Sequence, residues 1–165
     1  MIRHHSDAIF SNDGRYRYRL TREWDASTTK MTFVMLNPST ADETVDDPTI
    51  RRCVSFAQRS AFGGIEVVNL YALRSTDPKV LRRAIDPVGP DNDRQLAETF
   101  ERATTIVVAW GAGAEPARVR QVKKLLGDRE TVWCLGVTAD GSPRHPLYLR
   151  SDAPLSPWGR EAVAA

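Results

Sequence analysis

Four short apolar runs separated by helical patterns constrain this chain most. They are Phe33-Val34-Met35-Leu36, Ile65-Glu66-Val67-Val68-Asn69-Leu70, Thr105-Ile106-Val107-Val108-Ala109-Trp110 and Thr131-Val132-Trp133-Cys134-Leu135. Runs this short, rich in β-branched residues and closed by turn residues, read as buried strands. Between them lie amphipathic segments. Residues 48–61 carry a stripe of Ile50, Val54, Ala57 and Ala61, widened by Cys53, and Gly63-Gly64 stops it. A short helix over 78–84 follows Thr76 and Asp77, and a helix over 91–103 carries Leu96, Phe100 and Ala103 on one face. A last helix starts at Pro116, is lined by Val119, Val122, Leu125 and Leu126, and ends at Gly127. Strands alternating with helices at this spacing imply parallel βαβ units with right-handed crossovers and helices on both faces. The expected fold is α/β, a three-layer α/β/α sandwich around a four-stranded parallel sheet.

The 165 residues suit a single α/β domain. Its expected parts are an N-terminal hairpin extension over 1–25, a core over 31–148 and a loop-rich tail over 149–165. Within the extension, residues 10–20 pair Asn12-Asp13-Gly14 turn chemistry with the alternating sequence RYRYRL. Tyr16, Tyr18 and Leu20 are expected on one side and Arg15, Arg17 and Arg19 on the other, as a charged edge strand. His4 and His5 read as terminal surface residues.

In an open α/β sheet, ligands bind beyond the carboxyl ends of the strands, beside helix N-termini. The stretch 31–52, MTFVMLNPSTADETVDDPTIRR, builds such a place: an apolar run ends at Asn37-Pro38, and Asp47-Pro48 opens a helix. The second strand also ends in an asparagine, Asn69, and the fourth leads to Arg144-His145-Pro146-Leu147-Tyr148. The third ends in Trp110-Gly111-Ala112, where backbone can approach a ligand closely. A carboxamide presents a donor beside an acceptor, which matches a nucleobase edge, and an imidazole can donate to a developing oxyanion. Each residue also has a structural reading. Asn37 can end a strand, Asn69 can cap one, and His145 can lie in a surface loop. Asp47 reads first as a helix N-cap, and Asp42 to Asp46 as a solvated loop paired with Arg51 and Arg52. Trp110 and Trp133 read as core.

Composition narrows the partners. No apolar run approaches a membrane span, and MIRHHSDAIF lacks a secretory core, so a cytoplasmic protein without membrane association is expected. Cys53 and Cys134 show no metal-ligand spacing and read as core thiols, and no metal or cofactor is expected. A net charge of +2 excludes a general DNA-coating protein. Of the 23 basic residues 19 are Arg, a balance read first as GC-rich codon usage, although Arg also suits phosphate contacts.

Taken together, MLNPSTADETVDDPTIRR, VVNLYALRSTDP, VVAWGAGA and CLGVTADGSPRHPLY resemble domain-of-unknown-function family 1643 over nearly the whole chain. More remotely, the order of motifs is similar to the uracil-DNA glycosylase superfamily. There a GINPG- or GQDPY-like loop positions water, a strand-end asparagine reads the base, a third strand reads LLWG-x-x-A and a last loop reads HPSPLS. Leu36-Asn37-Pro38-Ser39, Asn69, Ala109-Trp110-Gly111-Ala112 and His145-Pro146-Leu147 occupy those places.

The resemblance implies hydrolysis of the N-glycosidic bond of a base, modified or not, flipped from DNA or another nucleic acid. Asn37 would hold the water, helped by Asp42 or Asp47, and His145 would stabilise the leaving base. Asn69, Tyr71, Pro38 and Ser39 would form the base pocket, and Leu147 or Tyr148 the wedge. Arg51, Arg74 and Arg144 are the expected contacts to the nucleic-acid backbone. The acidic mouth and the lack of an HPSPLS-type loop lead to an alternative, a non-catalytic module binding a nucleobase, nucleotide or nucleic acid. A metal-dependent nucleotide hydrolase using the Asp cluster is a third reading.

Overall fold

A computed structural model describes residues 5–159; residues 1–4, with His4, and 160–165 lie outside it. The chain forms β1 (His5–Phe10), β2 (Arg17–Glu23), β3 (Lys30–Met35), α1 (Pro48–Arg59), β4 (Gly64–Asn69), α2 (Pro78–Arg83), α3 (Asn92–Arg102), β5 (Thr105–Val108), α4 (Pro116–Leu126), β6 (Trp133–Cys134) and β7 (Ser156–Pro157). Single 3₁₀ turns lie at Gly111–Gly113 and Pro146–Tyr148. The architecture is mixed α/β, built on one seven-stranded sheet of order β1-β2-β4-β3-β5-β6-β7. The four strands expected from the apolar runs pair in parallel as β4-β3-β5-β6. They are the middle of a larger sheet: antiparallel β1 and β2 extend one side and antiparallel β7 the other. The expectation of a four-stranded sheet therefore undercounts it. β7 is two residues within the proline-rich tail, too short to leave an alternating pattern.

Side chains alternate across the sheet and build two cores. Met31, Phe33, Met35, Ile65, Val67 and Val107 face α1, where they bury Ile50, Cys53, Phe56 and Ala57. Val34, Val68, Ile106 and Val108 face the other way, toward Leu81 of α2, Leu96 and Phe100 of α3, and Val122 and Leu126 of α4. Both cysteines are buried free thiols, and burial pushes the Cys53 thiol up.

The N-terminal hairpin differs from its expected form. Its strands are 5–10 and 17–23, and β2 lies inside the sheet between β1 and β4, so it is no edge. Phe10 pairs with Arg17 but Ile9 with Arg19, so β2 carries one extra residue at Tyr18. Such a bulge reverses the side-chain alternation. Tyr16 and Tyr18 pack on the α3 side, whereas Leu20 packs on the α1 side. Arg19 stays with the α3 side, where Glu66 accepts from it and from Arg102. Arg17 lands on the α1 side and is only 2% exposed.

Candidate functional site

The carboxyl ends of β3, β4 and β5 open onto a cavity of about 350 Å³ on the α1 side of the sheet. Asn37, Ser39, Asp47, Asn69, Trp110 and His145 all line it. The side chains picked out by their strand-end positions thus share one space.

The loop 36–47 between β3 and α1 is pinned from both sides. Asn37 Nδ2 donates to the carbonyls of Pro38 and Ser75, each at 2.9 Å, and Ser75 N donates back to Pro38 O. Both amide protons of Asn37 are thereby used, which leaves Oδ1 as an acceptor. Asp42 caps a tight turn through Thr44 N and Val45 N. Arg22 holds the Asp46 carboxylate at 2.9 Å and the Asp42 carbonyl. Asp47 caps α1 through Ile50 N at 2.9 Å and reaches Ala41 N at 3.4 Å. Asp42, Asp46 and Asp47 are therefore engaged separately, and no three His, Cys, Asp or Glu among the described residues are grouped to hold a metal ion.

β4 delivers Asn69, which is 1% exposed. Its backbone is braced from behind. Asn92 Nδ2 donates to the carbonyls of Asn69 and Leu70, and the buried Arg118 donates to Leu70 O at 2.8 Å. Its side chain has no such support, and neither Oδ1 nor Nδ2 has a hydrogen-bond partner. An amide buried against nothing is costly, and native proteins keep few of them.

The loop after β6 returns through Pro143, whose carbonyl accepts from Gly111 N at 2.8 Å. Gly111 has φ +75°, so this close crossing of the β5 end needs glycine. His145 follows. Its Nδ1 accepts from Leu147 N at 3.3 Å, which assigns the proton of the neutral ring to Nε2. Arg52 anchors the turn from α1 by donating to the carbonyls of Pro146 and Leu149, rather than pairing with the acidic run.

Burial lowers the His145 pKa below its ordinary 6.5, and the nearby Asp47 charge opposes that shift. The unfolded chain takes the proton more readily, so this contribution to stability is complete above 6.5. It is lost as the pH falls from 6.5 through the lower folded value. An NMR titration is expected to place the His145 midpoint below 6.5, and Asp47→Asn to lower it further.

Some expected residues stand elsewhere. Tyr71 lies in an adjoining cavity of about 230 Å³, where its hydroxyl accepts from Glu115 N, so it presents no face to the first. Pro38 serves the loop through its carbonyl. Arg51 donates to Asp46 O, Arg74 lies over the Phe10 ring and donates to Gly14 O, and Arg144 donates to Val137 O. None of these three lines the cavity. Tyr148, 83% exposed, and Leu147 stand at its lip instead.

Arg17, expected on the charged side of an edge strand, is buried at the cavity instead. Its Nη1 donates to Ala41 O at 2.7 Å, its Nε has no partner, and it lines the cavity. Burial pushes its pKa down to about 10, with Asp47 pulling it up, so it stays a cation at neutral pH. No alternation rule signals this, because the bulge at Tyr18 turned the residue inward.

No helix among the described residues is long and apolar enough to cross a membrane. Neither the curated proteins nor the solved structures contain a match to this chain. The model of a family described as "Protein of unknown function (DUF1643)" matches residues 17–147, from the inward-turned Arg17 to the lip of the cavity, and the chain belongs to that family.

Proposed function

We propose that the cavity binds a nucleobase and that the protein, with a uracil-DNA-glycosylase-like fold, hydrolyses the base's N-glycosidic bond. The observation that carries this reading is the carboxamide of Asn69, buried and unpartnered at a cavity it shares with Asn37 and His145. A heterocycle with a donor beside an acceptor completes both of its hydrogen bonds. The cavity volume falls at the small end of the roughly 300–1,000 Å³ typical of small-molecule sites.

In the reaction, Asn37 Oδ1 orients a water toward the anomeric carbon. The C–N bond breaks with its electron pair on the base, the water oxygen bonds to carbon, and one water proton passes through solvent to the departing base anion. His145 Nε2–H donates to the base as negative charge grows on it, a term commonly worth about 10²–10³ in rate. Leu147 and Tyr148, exposed at the lip, suit a wedge into the stack a flipped base leaves.

One observation favours the alternative, a module that binds a base or nucleotide without turnover. Both Asp47 oxygens accept from backbone amides, so the nearest carboxylate is a strut rather than a free base. Base release from uracil-, hypoxanthine- and modified-base oligonucleotides separates the two. The expected result is release that falls about tenfold or more in Asn37→Ala. Binding without release supports the module, and neither binding nor release removes both.

A further inference from the structure

Asn69 alone cannot choose a base. Turning its amide by half a revolution exchanges donor and acceptor, so it accepts an oxo edge or an amino edge equally. The second orphaned group in the cavity breaks that symmetry. Arg17 is a guanidinium, which donates and never accepts. It makes no ion pair among the described residues, and Asp47, the charge that favours it most, has its oxygens on Ile50 N and Ala41 N. A buried cation with a free N–H is an expensive feature to keep for packing alone.

Its position is well fixed. Arg17 N donates to Ala72 O, three residues past Asn69, so both side chains rise from neighbouring strands on the α1 side of the sheet. We infer that Arg17 selects the ligand of this cavity: a heterocycle presenting an oxo oxygen beside a ring N–H, held by the guanidinium at the oxygen and by Asn69 at the N–H. The inference rests on the nucleobase reading and adds a chemical class to it. An exocyclic amino group at the same place would point hydrogens at a cation and leave Nε unpartnered. When the glycosidic bond breaks, the electron pair delocalises onto that oxo oxygen, where a fixed positive charge lowers the energy of the anion.

Paired bases differing only in this edge test the inference. Hypoxanthine is compared with adenine, and thymine with 5-methylcytosine, by calorimetric titration into the whole protein. The wild type is expected to bind each oxo member about tenfold or more tightly than its amino counterpart, the discrimination that an unpaired buried donor imposes. Arg17→Met is expected to bring both ratios to within about threefold of unity, and Arg17→Lys to leave them intermediate. Arg22→Met is the structural control, since Arg22 holds the same loop without lining the cavity. It is expected to keep the ratios whatever it does to the affinities.

Equal binding of oxo and amino bases by the wild type overturns the inference and leaves the nucleobase reading standing, and needs no variant to fold. Ratios unchanged in Arg17→Met, or lost equally in Arg22→Met, overturn it too. Inorganic phosphate displacing the base from wild type but not from Arg17→Met would make Arg17 an anion site and also overturn it. If no base of either kind binds, the nucleobase reading itself falls and takes the inference with it.

Discussion

Asn69→Leu is expected to raise the melting temperature while removing ligand binding. Two buried polar atoms without partners each cost about 1–3 kcal/mol. Leucine is close to asparagine in size and sheds that cost at a site already walled by Met35, Ile50 and Val67. A net gain of about 2 kcal/mol corresponds to roughly 4–8 °C in a chain of this length. Binding or turnover is expected to fall about a hundredfold or more, because an apolar side chain meets a polar edge. Stability and function moving in opposite directions is the signature of a strained binding group. A structural asparagine behaves otherwise, and Asn92 is the internal contrast. Its Nδ2 holds two carbonyls at the end of β4, so Asn92→Leu is expected to destabilise. Thermal unfolding of both variants, with titration of a free base, decides the matter. A lower melting temperature in Asn69→Leu would mean that the amide supports the fold after all.

What the sequence exposes and what it hides both follow from this site. Asn37, Asn69 and His145 are legible because the first directly follows an apolar run, the second stands at the end of one and the third lies in the loop after the last, and parallel strands bring such ends to a common edge. The cap role of Asp47 is legible from Asp-Pro at a helix start. The glycosidic chemistry belongs to the resemblance, and nothing in the pattern of apolar residues carries it. Arg17 is hidden by one inserted residue. Strict alternation through RYRYRL puts it in solvent, whereas the bulge at Tyr18 lets Arg17 and Leu20 share a face. The basic residues chosen as backbone contacts stand away from the cavity. Arg51, Arg74 and Arg144 lie near the motifs in sequence, but each long side chain donates to a backbone carbonyl, nearby in the chain for Arg51 and Arg144 and in the N-terminal hairpin for Arg74. Tyr71 fails by face. It follows Leu70 on the α3 side, whereas the cavity opens toward α1.

Asp47→Ala is expected to be the most destabilising single change around the cavity, because one carboxylate does three things there. It caps α1, and losing such a cap costs about 0.5–2 kcal/mol. It satisfies Ala41 N in a buried part of the loop, and leaving that donor unmade adds about 1–3 kcal/mol. It is also the negative charge that most favours the buried Arg17 cation and the one that opposes the His145 shift. The sum of the first two is about 3 kcal/mol, or roughly 6–12 °C in melting temperature. Asp47→Asn separates the roles. An asparagine still accepts from Ile50 N as a cap, so most of the backbone contribution survives while the charge is gone. Its expected loss is about 1 kcal/mol, accompanied by a lower His145 midpoint and a weaker hold of Arg17 on Ala41 O. Melting curves of the two variants, with the His145 titration beside them, measure these contributions independently. Equal destabilisation by alanine and asparagine would assign the stabilisation to the charge. A cap that matters as the geometry indicates requires the alanine variant to lose clearly more.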